Sequence, residues 1–210
     1  MGEPLPTVPR KRPRQERAKA TVDALVLATA RVLAEAGYAK ASTNRIAKVA
    51  GVSVGSLYQY FPNKEALVGE LIDRHQDEMM LLFVTRLTEL RDAPLAEAVR
   101  GVISALIEAH RVDPLDAAVH KTLFRELPPI GLAERMNRLE LTAIRAVRTY
   151  LEAKSDALRP KNKELAAFLL VHVVQASVLA LVVKEDVPGS DEAFIDELTA
   201  MVLGYLRPVD

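Results

Sequence analysis

The stretch from Ser42 to Lys64 holds the densest set of groups able to bind another molecule. Ser53, Val54, Gly55, Ser56, Tyr58, Gln59 and Tyr60 make a small, uncharged surface rich in hydrogen-bonding groups, with Arg45, Lys48 and Lys64 around it. Such a surface suits the DNA major groove, whose base edges offer donors and acceptors. The surrounding cations suit phosphates, which position a protein without specifying sequence. Gln59 can read adenine in bidentate fashion and Arg45 can read guanine. For each, a phosphate or water contact is an equal alternative. Gly55 permits close approach of the backbone. Lys64 falls at the start of the following helix, where its ammonium and that helix's N–H groups can share one phosphate. The same pattern also describes a solvated two-helix hairpin capping a helical bundle.

Other chemistry finds little support. The chain has no cysteine, which excludes thiolate metal sites and a cysteine nucleophile. The four histidines include no HxxxH pair, so no metal site is expected. No P-loop, HExxH or dinucleotide fingerprint is present, so neither catalysis nor a cofactor is expected. Asp113 precedes Pro114 and is accounted for as a helix cap.

The elements that must carry these groups are helices. Val22, Leu25, Val26, Thr29, Val32, Leu33 and Ala36 step by three and four along one face, and Gly37 ends that run. In the Ser42–Lys64 stretch, Ile46, Ala47 and Ala50 give a first short helix an apolar face. Gly51 can take the left-handed backbone at its end, Val52 can pack back over that end, and Ser53 caps a second short helix. Leu57 and Phe61, four apart, pin that helix to a core. Two short helices joined through a glycine turn make a helix-turn-helix. No segment alternates with period two. The expected architecture is all-α with about nine helices, near 15–36, 43–50, 54–60, 63–91, 94–111, 114–126, 131–156, 161–185 and 191–206. Asn63 and Asp92 are expected caps.

The chain's 210 residues carry no net charge, but the balance is uneven. Residues 1–64 hold 11 Lys/Arg against 4 Asp/Glu, and residues 65–210 hold 17 against 24. The front attracts a polyanion and the rear does not. Residues 1–14, with four prolines and four basic residues, read as a disordered basic arm, either a solubilising tail or an extra phosphate contact. Residues 15–62 form the helix-turn-helix domain and 63–210 the helical body. The opening residues contain no apolar signal core, so a cytoplasmic location is expected.

Residues 17–69 resemble the DNA-binding domain of the tetracycline-repressor (TetR) family of bacterial regulators. The resemblance is carried by Gly37 and Tyr38, Thr43, Ile46 and Ala47, Ala50 to Ser53, Gly55, Leu57 and Tyr58, Tyr60 and Phe61, and Lys64 to Leu67. It implies that Thr43, Tyr60 and Lys64 touch phosphates and that Ser53, Val54, Gly55, Tyr58 and Gln59 face the groove. Family identities at Asn44, Arg45, Val54 and Gln59 vary with the operator. The implied activity is ligand-responsive regulation of transcription, most simply repression. A homodimer would bind a palindromic operator and be released by a small-molecule effector. The alternative is a regulator of the same fold tuned by a partner protein or acting as an activator.

Past residue 70 only the architecture resembles the family, which implies dimerisation through helices near 161–185 and 191–206 and an effector pocket in the body. Leu165 to Val183 carries no charge, nearly enough to span a bilayer. His172 and Gln175 in its middle favour a helix buried on more than one side, serving a core and a subunit interface, and no membrane. Polar groups on apolar faces are the pocket candidates: His75, His110, His120, Asn137, Tyr150, His172 and Gln175. Beside them lie Met79, Phe83, Phe124 and Phe168. Six aromatics in residues 65–210 suit an aliphatic or amphipathic effector better than a planar aromatic one.

Overall fold

A computed structural model describes residues 16–110, 132–154, 157–184 and 186–208, the side chains of 132–139 excepted. The expected arm 1–14, the helix near 114–126 with its Asp113 cap, His120, Phe124 and the Asn137 side chain lie outside them. The described residues form eight helices and no strand: α1 (Glu16–Lys40), α2 (Thr43–Ala50), α3 (Val54–Tyr60), α4 (Lys64–Glu89), α5 (Leu95–Ala109), α6 (Leu132–Ala153), α7 (Lys163–Val183) and α8 (Asp191–Leu206). They fall into two compact units, residues 16–76 in one and 77–110 with 136–208 in the other.

The first unit has one core. Leu25, Val32 and Leu33 of α1, Ile46 and Ala47 of α2, Leu57 of α3, Phe61, and Ala66 and Leu67 of α4 are fully buried in it. Each large apolar side chain so buried contributes about 1.5–3 kcal/mol. Thr29 also sits on this buried stripe, and its hydroxyl is satisfied locally by donating to the Leu25 carbonyl at 2.8 Å. Helical geometry in α1 breaks at Gly37 (φ 73°, ψ 168°), a backbone conformation that glycine alone adopts readily, and a last turn continues to Lys40. Gly51 takes the left-handed conformation (φ 69°, ψ 26°) after α2. The Val52 N–H reaches back to the Ala47 carbonyl (3.0 Å) and the Gly51 N–H to that of Lys48 (3.3 Å), the double bond of a Schellman stop. Ser53 Oγ accepts from the Ser56 N–H (3.0 Å) and Asn63 Oδ1 from the Ala66 N–H (2.8 Å), so both expected caps form. Arg74 on α4 donates to Asp23 on α1 (2.6 Å) and to Glu70 (3.0 Å).

In the second unit, α5 to α8 surround two apolar clusters. Ala98, Tyr150, Leu151, Leu158, Ala166, Ala167, Val202 and Leu206 form one; Ile103, Ile107, Val178, Leu181, Ile195 and Leu198 form the other. Asn162 Oδ1 caps α7 and Ser190 Oγ caps α8. Asp92 does not cap α5. The N-cap is Pro94, which provides no side-chain bond, and Asp92 instead lies beside the Arg91 guanidinium at 3.7 Å. Arg100 of α5 pairs with both Glu192 and Asp196 of α8.

Helix α7 is covered by its own chain on one side. Within the chain only Ala166, Ala167, Val178 and Leu181 are buried, while Leu165, Phe168, Leu169 and Val173 are exposed. By length and composition α7 could also cross a membrane. Small residues at Ala166 and Ala167 let α7 pack closely on its inner side, and Leu165, Phe168, Leu169 and Val173 are left on the outer one.

Candidate nucleic-acid interface

The limits of α2 and α3 match the sequence expectation, and the side chains between them sort into two faces. Leu57 and Phe61 are fully buried. Ser53, Gly55, Tyr58 and Gln59 are exposed, and Val54, Ser56 and Tyr60 are half-buried, Val54 and Tyr60 packing against the core. Asn44, Arg45 and Lys48 of α2 are exposed as well, and Thr43 is half-buried.

Hydrogen bonds stiffen this surface in ways the sequence did not announce. The Thr43 and Tyr58 hydroxyls meet at 3.1 Å, tying the start of α2 to the exposed side of α3. The Ser53 and Ser56 hydroxyls meet at 2.8 Å in the first turn of α3. Ser42 caps α2 by accepting from the Arg45 N–H at 3.3 Å; a serine just before an apolar-periodic run is the signal that could have found it. Arg45 is held by an exposed ion pair with Glu35 at 3.4 Å. Pairs of this kind contribute about 0–1 kcal/mol, so the guanidinium exchanges partners at little cost.

Gly55 needs no special backbone, since the described positive-φ glycines are Gly37, Gly51 and Gly189. A Cβ there would meet nothing nearer than Ser53 Oγ at 3.9 Å. The chain's own packing therefore gives no reason for a glycine at a helical position where it costs about 0.5–1 kcal/mol relative to alanine.

Lys64 is not free in solution at the mouth of α4. Its ammonium donates to the Tyr38 carbonyl (3.2 Å) and stands 4.1 Å from the Tyr38 ring centre. The Tyr38 hydroxyl in turn donates to Glu65 at 2.9 Å. Burial first, then the bond to Glu65 and its negative charge, push the Tyr38 phenol up to about 12. Contacts spanning 26 and 27 residues leave no local trace in a sequence.

The described pocket candidates stand on α4, α6 and α7 and at the end of α5. His75, Met79 and Phe83 are half-buried along α4. His110 ends α5 with Nδ1 at 2.6 Å from the Leu106 carbonyl. Phe168 and Gln175 are exposed, and His172 is half-buried with its ring against Phe168 (4.1 Å between centres), Nδ1 at 2.8 Å from the Phe168 carbonyl and Nε2 at 3.2 Å from Glu140. Tyr150 is buried, and its hydroxyl has no hydrogen-bond partner among the described residues; the same holds for the Thr199 hydroxyl on α8. Burial raises the Tyr150 phenol above its ordinary value.

No group of three or more His, Cys, Asp or Glu able to hold a metal occurs among the described residues. Gly51, Ser53 and Gly55 have the G-x-S-x-G spacing of a hydrolase nucleophile elbow. That motif requires a strand before the serine and a base beside it. Here a helix precedes it, and Ser53 Oγ is engaged by the N–H and hydroxyl of Ser56.

Comparison with known proteins gives the family. Residues 25–71 match the profile of the bacterial regulatory proteins of the tetR family, and residues 94–206 that of the tetracyclin repressor-like C-terminal domain. The nucleoid occlusion factor SlmA of Haemophilus ducreyi is 32% identical over 114 residues, 54% of each chain, so the chain spans about half the length of that curated relative. The uncharacterized HTH-type transcriptional regulator YhgD of Bacillus subtilis is 26% identical over 156 residues, 68% of this chain and 74% of that one. Among solved structures, SmeT, the repressor of the Stenotrophomonas maltophilia multidrug efflux pump SmeDEF, superposes with a TM-score of 0.71 at 20% identity, covering 92% of this chain and 93% of SmeT. With a helix-turn-helix in its first unit, helices in its second and both family profiles matched, the second over half of the chain, the chain belongs to the tetR family of DNA-binding bacterial transcriptional regulators and is not an enzyme.

Proposed function

We propose that the chain is a cytoplasmic, effector-responsive repressor that binds a palindromic operator as a homodimer. The observation that carries the DNA contact is the outward face of α3, where Gly55 is bare and Tyr58 and Gln59 are exposed. In this reading Ser53, Val54, Gly55, Tyr58 and Gln59 enter the major groove, and Thr43, Tyr60 and Lys64 meet phosphates. Asn44 and Arg45 stand at the groove edge, where the operator decides between base and phosphate. One helix of two turns buries too little to be specific, and two of them roughly 34–36 Å apart read a palindrome.

The outward apolar residues of α7, with the exposed Met201 of α8, support pairing with a second copy. Such a contiguous patch on an isolated chain marks an interaction surface. Repression is supported by SmeT, a repressor whose fold the chain shares. The effector acts by binding better to a dimer whose reading heads no longer match successive major grooves; equal affinity for both states would shift nothing. The pocket belongs to the body from residue 63 onward and takes an aliphatic or amphipathic molecule.

Selection of duplexes from a random library by the purified chain tests the reading. A palindrome with half-sites one helical turn apart is expected, and Gln59→Ala should relax preference at particular base pairs by about 1–3 kcal/mol. No enriched sequence would sink the proposal, and equal loss on selected and random DNA would remove Gln59 from the base-reading set. A thermal-shift screen with lipophilic compounds, followed by release from the selected duplex, tests the effector.

A further inference from the structure

We infer that Tyr38 is a positioning residue for DNA binding, holding the Lys64 ammonium between its ring face and its backbone carbonyl at the start of α4. The inference rests on the phosphate contact proposed for Lys64. Gly37 makes it possible: its positive φ turns the chain at the end of α1 so that Tyr38 packs against the first core with its carbonyl directed at α4. The carbonyl accepts from both the Ala41 N–H (3.2 Å) and Lys64 Nζ (3.2 Å). The ring lies under the same ammonium at 4.1 Å, an attractive cation–π arrangement.

At its far end the Tyr38 hydroxyl donates to Glu65 Oε1 at 2.9 Å, which fixes the ring and holds that carboxylate on a different atom from the one that holds the lysine. One tyrosine thus keeps two neighbouring opposite charges apart. A lysine ammonium has three donors, of which the Tyr38 carbonyl uses one. The remaining donors stay available beside the positive end of α4. A lysine otherwise spends side-chain entropy when it settles on a phosphate; one already held meets less of that cost.

The test is the salt dependence of binding to a selected duplex by the full chain. Lys64→Ala lowers the log–log slope by about 0.9 per reading head. Tyr38→Leu, which keeps the carbonyl but removes the ring and hydroxyl, is expected to lower it as well and to add nothing when combined with Lys64→Ala. Tyr38→Phe retains the ring and carbonyl and should retain the slope. A wild-type slope for Tyr38→Leu, or full additivity with Lys64→Ala, overturns the inference while leaving the lysine's phosphate contact intact. An unchanged slope for Lys64→Ala would instead sink that contact itself. Should Tyr38→Leu fail to fold, the ε-methylene protons of Lys64 decide. They must resonate upfield of the other lysines in the free protein, and a random-coil position overturns the inference.

Discussion

One added methyl group at Gly55 should move stability and DNA affinity in opposite directions. Gly55 is exposed in the first turn of α3, with an ordinary backbone, and beyond its own stretch of backbone the nearest atom to the position a Cβ would take is Ser53 Oγ at 3.9 Å. Alanine fits there without strain and reduces the freedom of the unfolded chain, so Gly55→Ala should stabilise by about 0.4–1 kcal/mol. For a chain of this length that is a rise in Tm of about 1–4 °C. The same methyl stands on the outward face. If the α3 backbone approaches the DNA there, inserting a group into a filled contact costs about 1–3 kcal/mol. Operator affinity then falls by roughly 5–150-fold, most of it in dissociation. Calorimetry and fluorescence anisotropy on a selected duplex measure the two halves. A more stable variant that binds DNA as tightly as the parent would refute the placement of Gly55 at the groove. A less stable one would refute the steric argument.

Three further outcomes follow from single contacts. The Tyr38 phenol, pushed from 10.0 to about 12, keeps its proton in the folded chain when the unfolded chain has lost it. Its contribution to stability is therefore complete below pH 10 and is lost as the pH rises through about 12. A rapid-mixing absorbance titration of phenolate should show a late step near pH 12 that Tyr38→Phe removes. Tyr150→Phe deletes a buried hydroxyl with no partner among the described residues, so urea unfolding should show no loss and a gain of up to about 1 kcal/mol. A loss of that size would reveal a hydrogen bond. Leu169→Glu places a charge on the exposed side of α7. Sedimentation should then show a monomer with unchanged helix content and weakened operator binding, and an intact dimer would move the subunit interface elsewhere.

What could be read ahead of the structure was local, and what could not be read was distant. The ends of α2 and α3 were legible because each is set by residues within one turn: the Gly51 stop with Val52 folded over it, the Ser53 cap, and the Leu57–Phe61 pair facing inward. Asp92 shows the limit even of local rules, since Pro94 pre-set the backbone for α5 and left the better capping side chain two residues outside. Composition announced that α7 carries more apolar surface than an ordinary surface helix, but not that Ala166 and Ala167 would take the inner side and Leu165, Phe168 and Leu169 the outer. That choice depends on which neighbours leave room, a property of packing. What the histidines bond to was not legible for a related reason. A histidine is legible as a type, but His110 and His172 spend ring nitrogens on carbonyls one turn back, bonds that a helix offers any histidine at that spacing. Tyr38 illustrates the opposite case. Its partners Lys64 and Glu65 are 26 and 27 residues away, so no window of sequence joins them, yet all three lie within the stretch that carries the family resemblance. The resemblance marked the positions, and the fold supplies a physical reason for a glycine and a tyrosine at the end of α1: Gly37 turns the chain there, and Tyr38 takes the Lys64 ammonium on its carbonyl and ring face.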